Sequence, residues 1–95
     1  MHIGVLDLDF HLPGCASLKE KRRRLARLRD KFGRVPNLAI CESDHQDSRQ
    51  RARWSVVAVA ADAVVVEQSL ANVERWAAES VDATIVGVDR ELLAA

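Results

Sequence analysis

The chain alternates between strand-like and helix-like periodicity, and the order of these segments restricts the folds open to it. His2 to Leu12 alternates with a period of two between apolar and mixed positions, which predicts a half-buried strand. Pro13-Gly14 supplies the turn chemistry that ends this strand. A helix is predicted next, because Ser17 and Glu20 form a capping box and apolar residues then recur at helical spacing as far as Gly33.

The rest of the chain predicts two strands, a second helix and a final strand. Asn37 to Ser43 is typical of a strand, and the polar residues 44–51 are expected to form a connecting loop. Trp54 to Ala61 predicts a strand that is apolar on both faces. Asp62 is placed to cap a helix, and Val81 to Asp89 predicts the last strand.

These segments give the order βαββαβ in two halves of similar length. Right-handed crossovers and antiparallel pairing convert this order into a ferredoxin-like sandwich. We therefore predict an α+β fold with a four-stranded antiparallel sheet in the order 4-1-3-2 and both helices on one face. The 95 residues suit a single domain spanning residues 1–95.

Helical spacing also predicts which residues of the two helices are buried. The buried stripe of the first helix is expected to contain Leu18, Leu25, Leu28 and Phe32, and that of the second Val66, Leu70, Val73 and Ala77. Lys21 falls inside the first stripe, where a lone ammonium group would be expensive to bury. We expect Lys21 to extend past the sheet edge into solvent, and an ion pair with Glu42 or Asp44 is the alternative.

Charge is strongly segregated along a chain whose formal net charge is zero. The segment from Ser17 to Arg34 holds nine of the fourteen basic residues and two of the fourteen acidic ones, so it carries +7. The remaining residues carry −7. Such a dipolar protein can attract a polyanion to its positive side.

The first helix is therefore the candidate nucleic-acid-binding surface. The proposed contact residues are Lys19, Lys21, Arg22, Arg23, Arg27 and Arg29. The alternative interpretation is a solvated helix face that keeps the protein soluble, although like charges four residues apart destabilise a helix. The sheet is a poor RNA surface, because its first and third strands lack the stacking aromatic residues of an RNA-recognition motif.

The second face of the predicted sheet, which the helices leave uncovered, suggests a different function, namely contact with another protein chain. Two helices cover one face only, and the uncovered face is expected to include Ile3 and Val5 beside Asp7 and Asp9. Scattered aliphatic residues on an open sheet are ordinary, but a second copy of the chain or another protein would also cover them. The face occupied by Trp54 is left open by the sequence. A protein-interaction or homodimerisation module is thus the rival interpretation.

The sequence predicts no catalytic residue, cofactor or metal site, and we expect a non-enzymatic protein. Glu42, Asp44, His45 and Asp47 are close in sequence, but their spacing matches no EF-hand or zinc pattern. Two cysteines without CxxC spacing favour the reducing cytoplasm. The longest apolar stretch is too short to span a membrane, and the start of the chain lacks signal-peptide features.

The sequence resembles the YlxP-like family of small bacterial proteins, described as a domain of unknown function. The resemblance rests on three segments: His2-Ile3-Gly4, Ser17-Leu18-Lys19-Glu20-Lys21-Arg22, and Asp44-His45-Gln46-Asp47 followed by Gln50-Arg51-Ala52. It implies a ferredoxin-like fold and supplies no catalytic residue. Gene neighbourhoods of the family also imply a connection with RNA or a ribosome-associated particle.

Overall fold

A computed structural model of the protein describes residues 1–93. Its six elements alternate as the periodicity predicts. They are β1 (His2–His11), α1 (Leu18–Phe32), β2 (Leu38–Asp44), β3 (Arg51–Ala60), α2 (Ala63–Ser80) and β4 (Thr84–Leu93). The four strands form one antiparallel sheet in the order β2-β3-β1-β4. The predicted ferredoxin-like βαββαβ fold and strand order are confirmed.

The core lies between the helices and one face of the sheet. Leu6, Leu8 and Phe10 alternate toward the helices and are almost fully buried. Helix α2 contributes Val66, Leu70, Val73 and Ala77, the four residues that its spacing predicts. Helix α2 packs over β1 and β3, whereas α1 packs over β2 and against α2. The stripe of α1 contains Leu25, Leu28 and Phe32 as predicted, but Leu18 is only half-buried and Lys21 is buried instead.

Close packing at Gly4 brings α2 onto the central strand. A Cβ atom at this position would lie 2.6 Å from Val66 Cγ1 and 2.8 Å from Leu70 Cδ1. These distances are far below van der Waals contact, so only a residue without a side chain lets the helix approach this closely.

Strand boundaries are where the sequence prediction and the structure differ most. Strand β3 begins at Arg51, three residues before the predicted start, and β4 runs over Thr84–Leu93, where Val81 to Asp89 was predicted. Both strands pair with β1 along nearly its whole length, from His11 opposite Arg51 and Thr84 to Ile3 opposite Leu93. Pairing with a ten-residue partner thus extends strands whose own sequences are polar at one end.

Neither helix within residues 1–93 is long and apolar enough to cross a membrane.

Candidate nucleic-acid interface

Helix α1 begins with the capping box that the sequence predicts. The Ser17 hydroxyl accepts a hydrogen bond from the Glu20 backbone N–H at 3.0 Å. The Glu20 carboxylate accepts in return from the Ala16 backbone N–H at 2.8 Å. This backbone hydrogen bond lowers the pKa of Glu20 below its ordinary value, and the positive charges of Arg24 and Arg23 add to the effect. The start of the basic helix is therefore firmly defined.

Lys21 does not reach solvent, so the predicted extension past the sheet edge is wrong. Only 1% of the residue is exposed. Its ammonium group donates to three backbone carbonyl oxygens, those of His45 and Ser48 in the loop between β2 and β3 and that of Arg51 at the start of β3, at 2.8, 2.8 and 3.0 Å. It also lies 3.0 Å from Glu42 Oε2, which is the alternative ion pair that the sequence raised. Lys21 thus fixes the loop between β2 and β3, and it is not one of the cations that RNA can reach.

Two arginines of α1 bind the end of α2. Arg24 Nε donates to the Asp82 carbonyl oxygen at 2.8 Å and lies 3.2 Å from the Asp82 carboxylate. The Arg27 guanidinium donates to the Ser80 carbonyl oxygen at 3.1 Å and lies 5.9 Å from the centre of the Trp76 ring. The carbonyl groups at a helix C-terminus carry partial negative charge, which guanidinium groups offset. Arg27, a predicted contact residue, is exposed but partly committed to this structural role.

The remaining predicted contact residues have no carboxylate partner within residues 1–93. Lys19, Arg22 and Arg23 are exposed, and their side chains make no hydrogen bond or ion pair with any described residue. Arg29 is also exposed, and its guanidinium lies 5.5 Å from the centre of the Trp54 ring as a cation–π contact. Lys19 and Arg23 are separated along the helix by about 6 Å, at 1.5 Å per residue. A row of free cations therefore faces solvent.

A groove of about 330 Å³ lies beside this row, between α1 and the sheet. The sheet supplies Glu42 and Trp54 to its walls, and the helix supplies Lys21, Arg22, Leu25, Ala26, Arg29 and Asp30. Trp54 lies on the helix side of β3 and is 5% exposed, which settles the face that the sequence left open. The groove thus places an aromatic residue and a half-buried carboxylate next to the basic surface.

The uncovered face of the sheet carries an ion cluster at one end. The Arg53 guanidinium lies 3.2 Å from Asp7, 3.0 Å from Asp9 and 3.5 Å from Asp89, and Ser55 donates a hydrogen bond to Asp7. Desolvation lowers the pKa of Arg53, but the negative charges of Asp9 and Asp7 raise it by more than that. The pKa of Arg53 therefore lies above its ordinary value. Three carboxylates around one guanidinium leave this end of the face negative.

The other end of the same face is mainly aliphatic, with exposed Glu91 of β4 opposite Val5. Its half-buried residues pair across β1 and β3, with Ile3 opposite Val59 and Val5 opposite Val57. Leu93 pairs with Ile3 from β4 and is 40% exposed. The prediction that Ile3 and Val5 share the uncovered face with Asp7 and Asp9 agrees with this register.

The acidic loop does not assemble a cation site in the described part of the chain. Asp44 accepts a hydrogen bond from the His45 backbone N–H at 2.7 Å, and Glu42 faces Lys21. His45 has a positive φ of 62°. Among residues 1–93, no three His, Cys, Asp or Glu side chains converge in an arrangement that could hold a metal ion.

Comparison with known families identifies the chain. The family described as "Protein of unknown function (DUF503)" matches residues 3–90. The chain belongs to this family. The match covers all of the elements except the first residue of β1 and the end of β4, so the basic helix, the groove and the loop fixed by Lys21 all lie within the DUF503 region. No curated protein matches the chain.

Solved structures share its fold at low sequence identity. A structural genomics protein, YJCS, superposes with a TM-score of 0.60 at 7% identity, covering 97% of this chain and 99% of its own. The de novo designed protein Ferredog-Diesel has a TM-score of 0.54 at 14% identity, and the superposition covers 94% of this chain and 83% of Ferredog-Diesel. A mutant of SnoaB, a cofactor-independent oxygenase from Streptomyces nogalater, has a TM-score of 0.52 at 16% identity. This superposition covers 99% of this chain and 92% of SnoaB. At such identities the likeness establishes the fold alone.

Proposed function

We propose that this DUF503 protein is a non-enzymatic accessory protein that docks on RNA or a ribonucleoprotein through α1. The observation that carries the proposal is the row of exposed cations, Lys19, Arg22, Arg23 and Arg29, none of which forms an ion pair with a carboxylate among residues 1–93. Unpaired arginines are suited to phosphate oxygens, which they bind through a planar array of donors. Arg27 of α1 adds charge to this surface, although its guanidinium also contacts the last residue of α2, Ser80.

The distribution of acidic residues orients the protein toward a polyanion. The uncovered sheet face holds the cluster of Asp7, Asp9 and Asp89, on the side of the sheet opposite the helices. A phosphate backbone is repelled by that face and attracted by α1, so the protein approaches RNA with the helix first. Such contacts position the protein on RNA without reading its sequence.

The salt dependence of RNA binding tests this proposal. For single strands, each phosphate contact contributes about 0.7 to the slope of log affinity against log salt. Replacing both Arg22 and Arg23 by Gln should therefore reduce the slope by about 1.4 and weaken binding at 50 mM salt. The measurement is fluorescence anisotropy with a labelled RNA oligomer between roughly 50 and 200 mM salt.

Arg75 supplies the matched control for this experiment. It lies exposed on α2, where it donates a hydrogen bond to Asn72 at 3.3 Å. The Arg75→Gln variant should bind RNA with the slope of the unmodified protein. The docking proposal is refuted if no RNA binds at low salt, or if loss of Arg22 and Arg23 leaves the slope unchanged.

We also propose a finer placement of the chain within its family. The matches at His2-Ile3-Gly4 and Asp44-His45-Gln46-Asp47 support grouping it with the YlxP-like proteins. Two free cysteines are compatible with work in the reducing cytoplasm, which is the proposed compartment.

The aliphatic end of the uncovered sheet face supports a second candidate, a homodimerisation or protein-interaction module. Ile3, Val5, Val57 and Val59 form a half-buried aliphatic patch there, extended by exposed Leu93. Light scattering at micromolar concentration tests for a dimer, and Val5→Glu should dissociate it while leaving RNA affinity intact. A monomer at these concentrations removes the homodimer from consideration.

A further inference from the structure

Glu42 has a buried oxygen that receives no hydrogen bond. An ammonium group has three hydrogens, and Lys21 gives all three to the carbonyl oxygens of His45, Ser48 and Arg51. Glu42 Oε2 lies 3.0 Å from the same nitrogen and is attracted by its charge, but no hydrogen remains to point at it. This carboxylate oxygen therefore has unused acceptor capacity, and a ligand in the groove reaches it only when the side chains that cover it move aside.

Trp54 supplies the complementary group, a buried donor without an acceptor. Its indole Nε1–H has no hydrogen-bond partner among the described residues, although the residue is only 5% exposed. Leaving a buried donor unsatisfied is costly, and tryptophan N–H groups are usually paired when buried. Glu42 and Trp54 both line the groove beside α1, so the two residues that carry these unsatisfied atoms border one cavity.

Arg29 lines this cavity next to Trp54. Its guanidinium lies over the Trp54 ring at 5.5 Å and makes no hydrogen bond or ion pair within residues 1–93. Arg29 is exposed, so moving it outward breaks the cation–π contact with Trp54 but no hydrogen bond or ion pair of its side chain with residues 1–93. A planar guanidinium that leaves one aromatic ring can stack on another flat group that enters the groove.

We infer that the groove binds a nucleobase of single-stranded RNA that carries an exocyclic amino group. The amino group donates to Glu42 Oε2, a ring or carbonyl acceptor of the base takes the Trp54 N–H, and Arg29 stacks on the base. Carboxylates accept from the cytosine amino group in base recognition. Uracil presents an oxygen where cytosine presents that amino group, and this oxygen would face the negative carboxylate. The inference rests on the proposed docking of RNA and adds base selection to it.

Nucleosides test the groove without involving phosphate contacts. Cytidine at millimolar concentration should shift the Trp54 indole N–H resonance in a ¹⁵N-resolved NMR spectrum and leave that of Trp76 in place. Uridine should shift neither. Trp54→Phe assigns the resonance by deleting it. The inference is overturned if cytidine leaves the Trp54 resonance unmoved, or if uridine moves it equally.

A variant that blocks the groove provides a test that does not disturb the core. Ala26 lies exposed on the wall of the groove, and Ala26→Leu should fill it and abolish the response to cytidine. Ala78→Leu is the matched control, because Ala78 is equally exposed on α2 and does not line the groove. An unchanged response in Ala26→Leu would place cytidine elsewhere and refute the groove.

Matched RNA oligomers separate this inference from the docking proposal. Oligo(C) and oligo(U) of equal length carry equal charge, so their phosphate contacts cancel in the ratio of their dissociation constants. We expect oligo(C) to bind about tenfold tighter, within the range of a good base contact, and Glu42→Gln to reduce this ratio toward one. Equal affinities with a normal salt slope overturn the groove and leave docking intact. A Trp54 response to cytidine without binding of either oligomer supports the groove and overturns docking.

Discussion

Replacing Lys21 by Met tests how the loop between β2 and β3 is held. Methionine keeps most of the aliphatic volume of the buried lysine stem but provides no hydrogen. Three loop carbonyl groups lose their donor, and the carboxylate of Glu42 is left without a counter-charge. Removing one partner of a buried ion pair costs about 3–5 kcal/mol. A domain of this size has a total free energy of unfolding of roughly 5–14 kcal/mol, so the loss is a large fraction of it.

Urea unfolding followed by circular dichroism measures this loss. With a denaturant slope of about 2 kcal/mol/M, a destabilisation of about 4 kcal/mol lowers the midpoint by about 2 M. Amide hydrogen exchange should also become faster in residues 45–51, since this loop depends on the ammonium group for its carbonyl partners.

The Glu42→Gln variant is the informative comparison. It removes the charge partner but leaves all three hydrogen bonds of Lys21 in place, and the Glu42 side chain is 19% exposed. We expect it to cost about 1–2 kcal/mol, well below the cost of Lys21→Met. The double variant should be more stable than the sum of the two losses predicts, because no uncompensated carboxylate remains. The assignment of the three Lys21 hydrogens to backbone carbonyl groups would be refuted by either of two results. One is an equal loss of unfolding free energy in Lys21→Met and Glu42→Gln, and the other is a double variant whose loss equals the sum of the two.

Three further predictions concern other parts of the fold. Gly4→Ala should destabilise the protein by about 1–3 kcal/mol in thermal or urea unfolding, because its methyl group would collide with Val66; an unchanged stability would contradict this close packing. Glu20→Gln should lower the melting temperature at pH 7 but not in strong acid. A carboxylate whose pKa is lowered in the folded protein stabilises the fold above its ordinary pKa, and it loses that effect as pH falls through the lowered value. A loss of melting temperature that does not depend on pH would contradict the contact with the Ala16 N–H. Arg53→Met should lower the melting temperature at neutral pH, because the three carboxylates then repel one another. This loss of melting temperature should become smaller in acid, where the carboxylates are protonated. A melting temperature unchanged at neutral pH would show that the cluster contributes nothing to stability.

Much of this fold follows from local pattern. The period of two in β1 assigned Leu6, Leu8 and Phe10 to the helix side, where the structure buries them. The capping residues Ser17 and Asp62 marked both helix starts, because their side chains satisfy backbone N–H groups only a few residues away. Strand ends were less predictable, since pairing with β1 carried β3 and β4 through polar residues that local propensity does not favour.

The sequence by itself determined that cations gather on one helix, and the tertiary structure decided which of them are available. Lys21 differs from Arg22 in availability because loop carbonyl groups 24 to 30 residues further along the chain take its hydrogens. Arg24 is held in the same way by Asp82, 58 residues away. Charge and periodicity are local properties of a sequence, whereas the partner of a buried or tethered charge depends on which distant backbone the fold brings within hydrogen-bond distance.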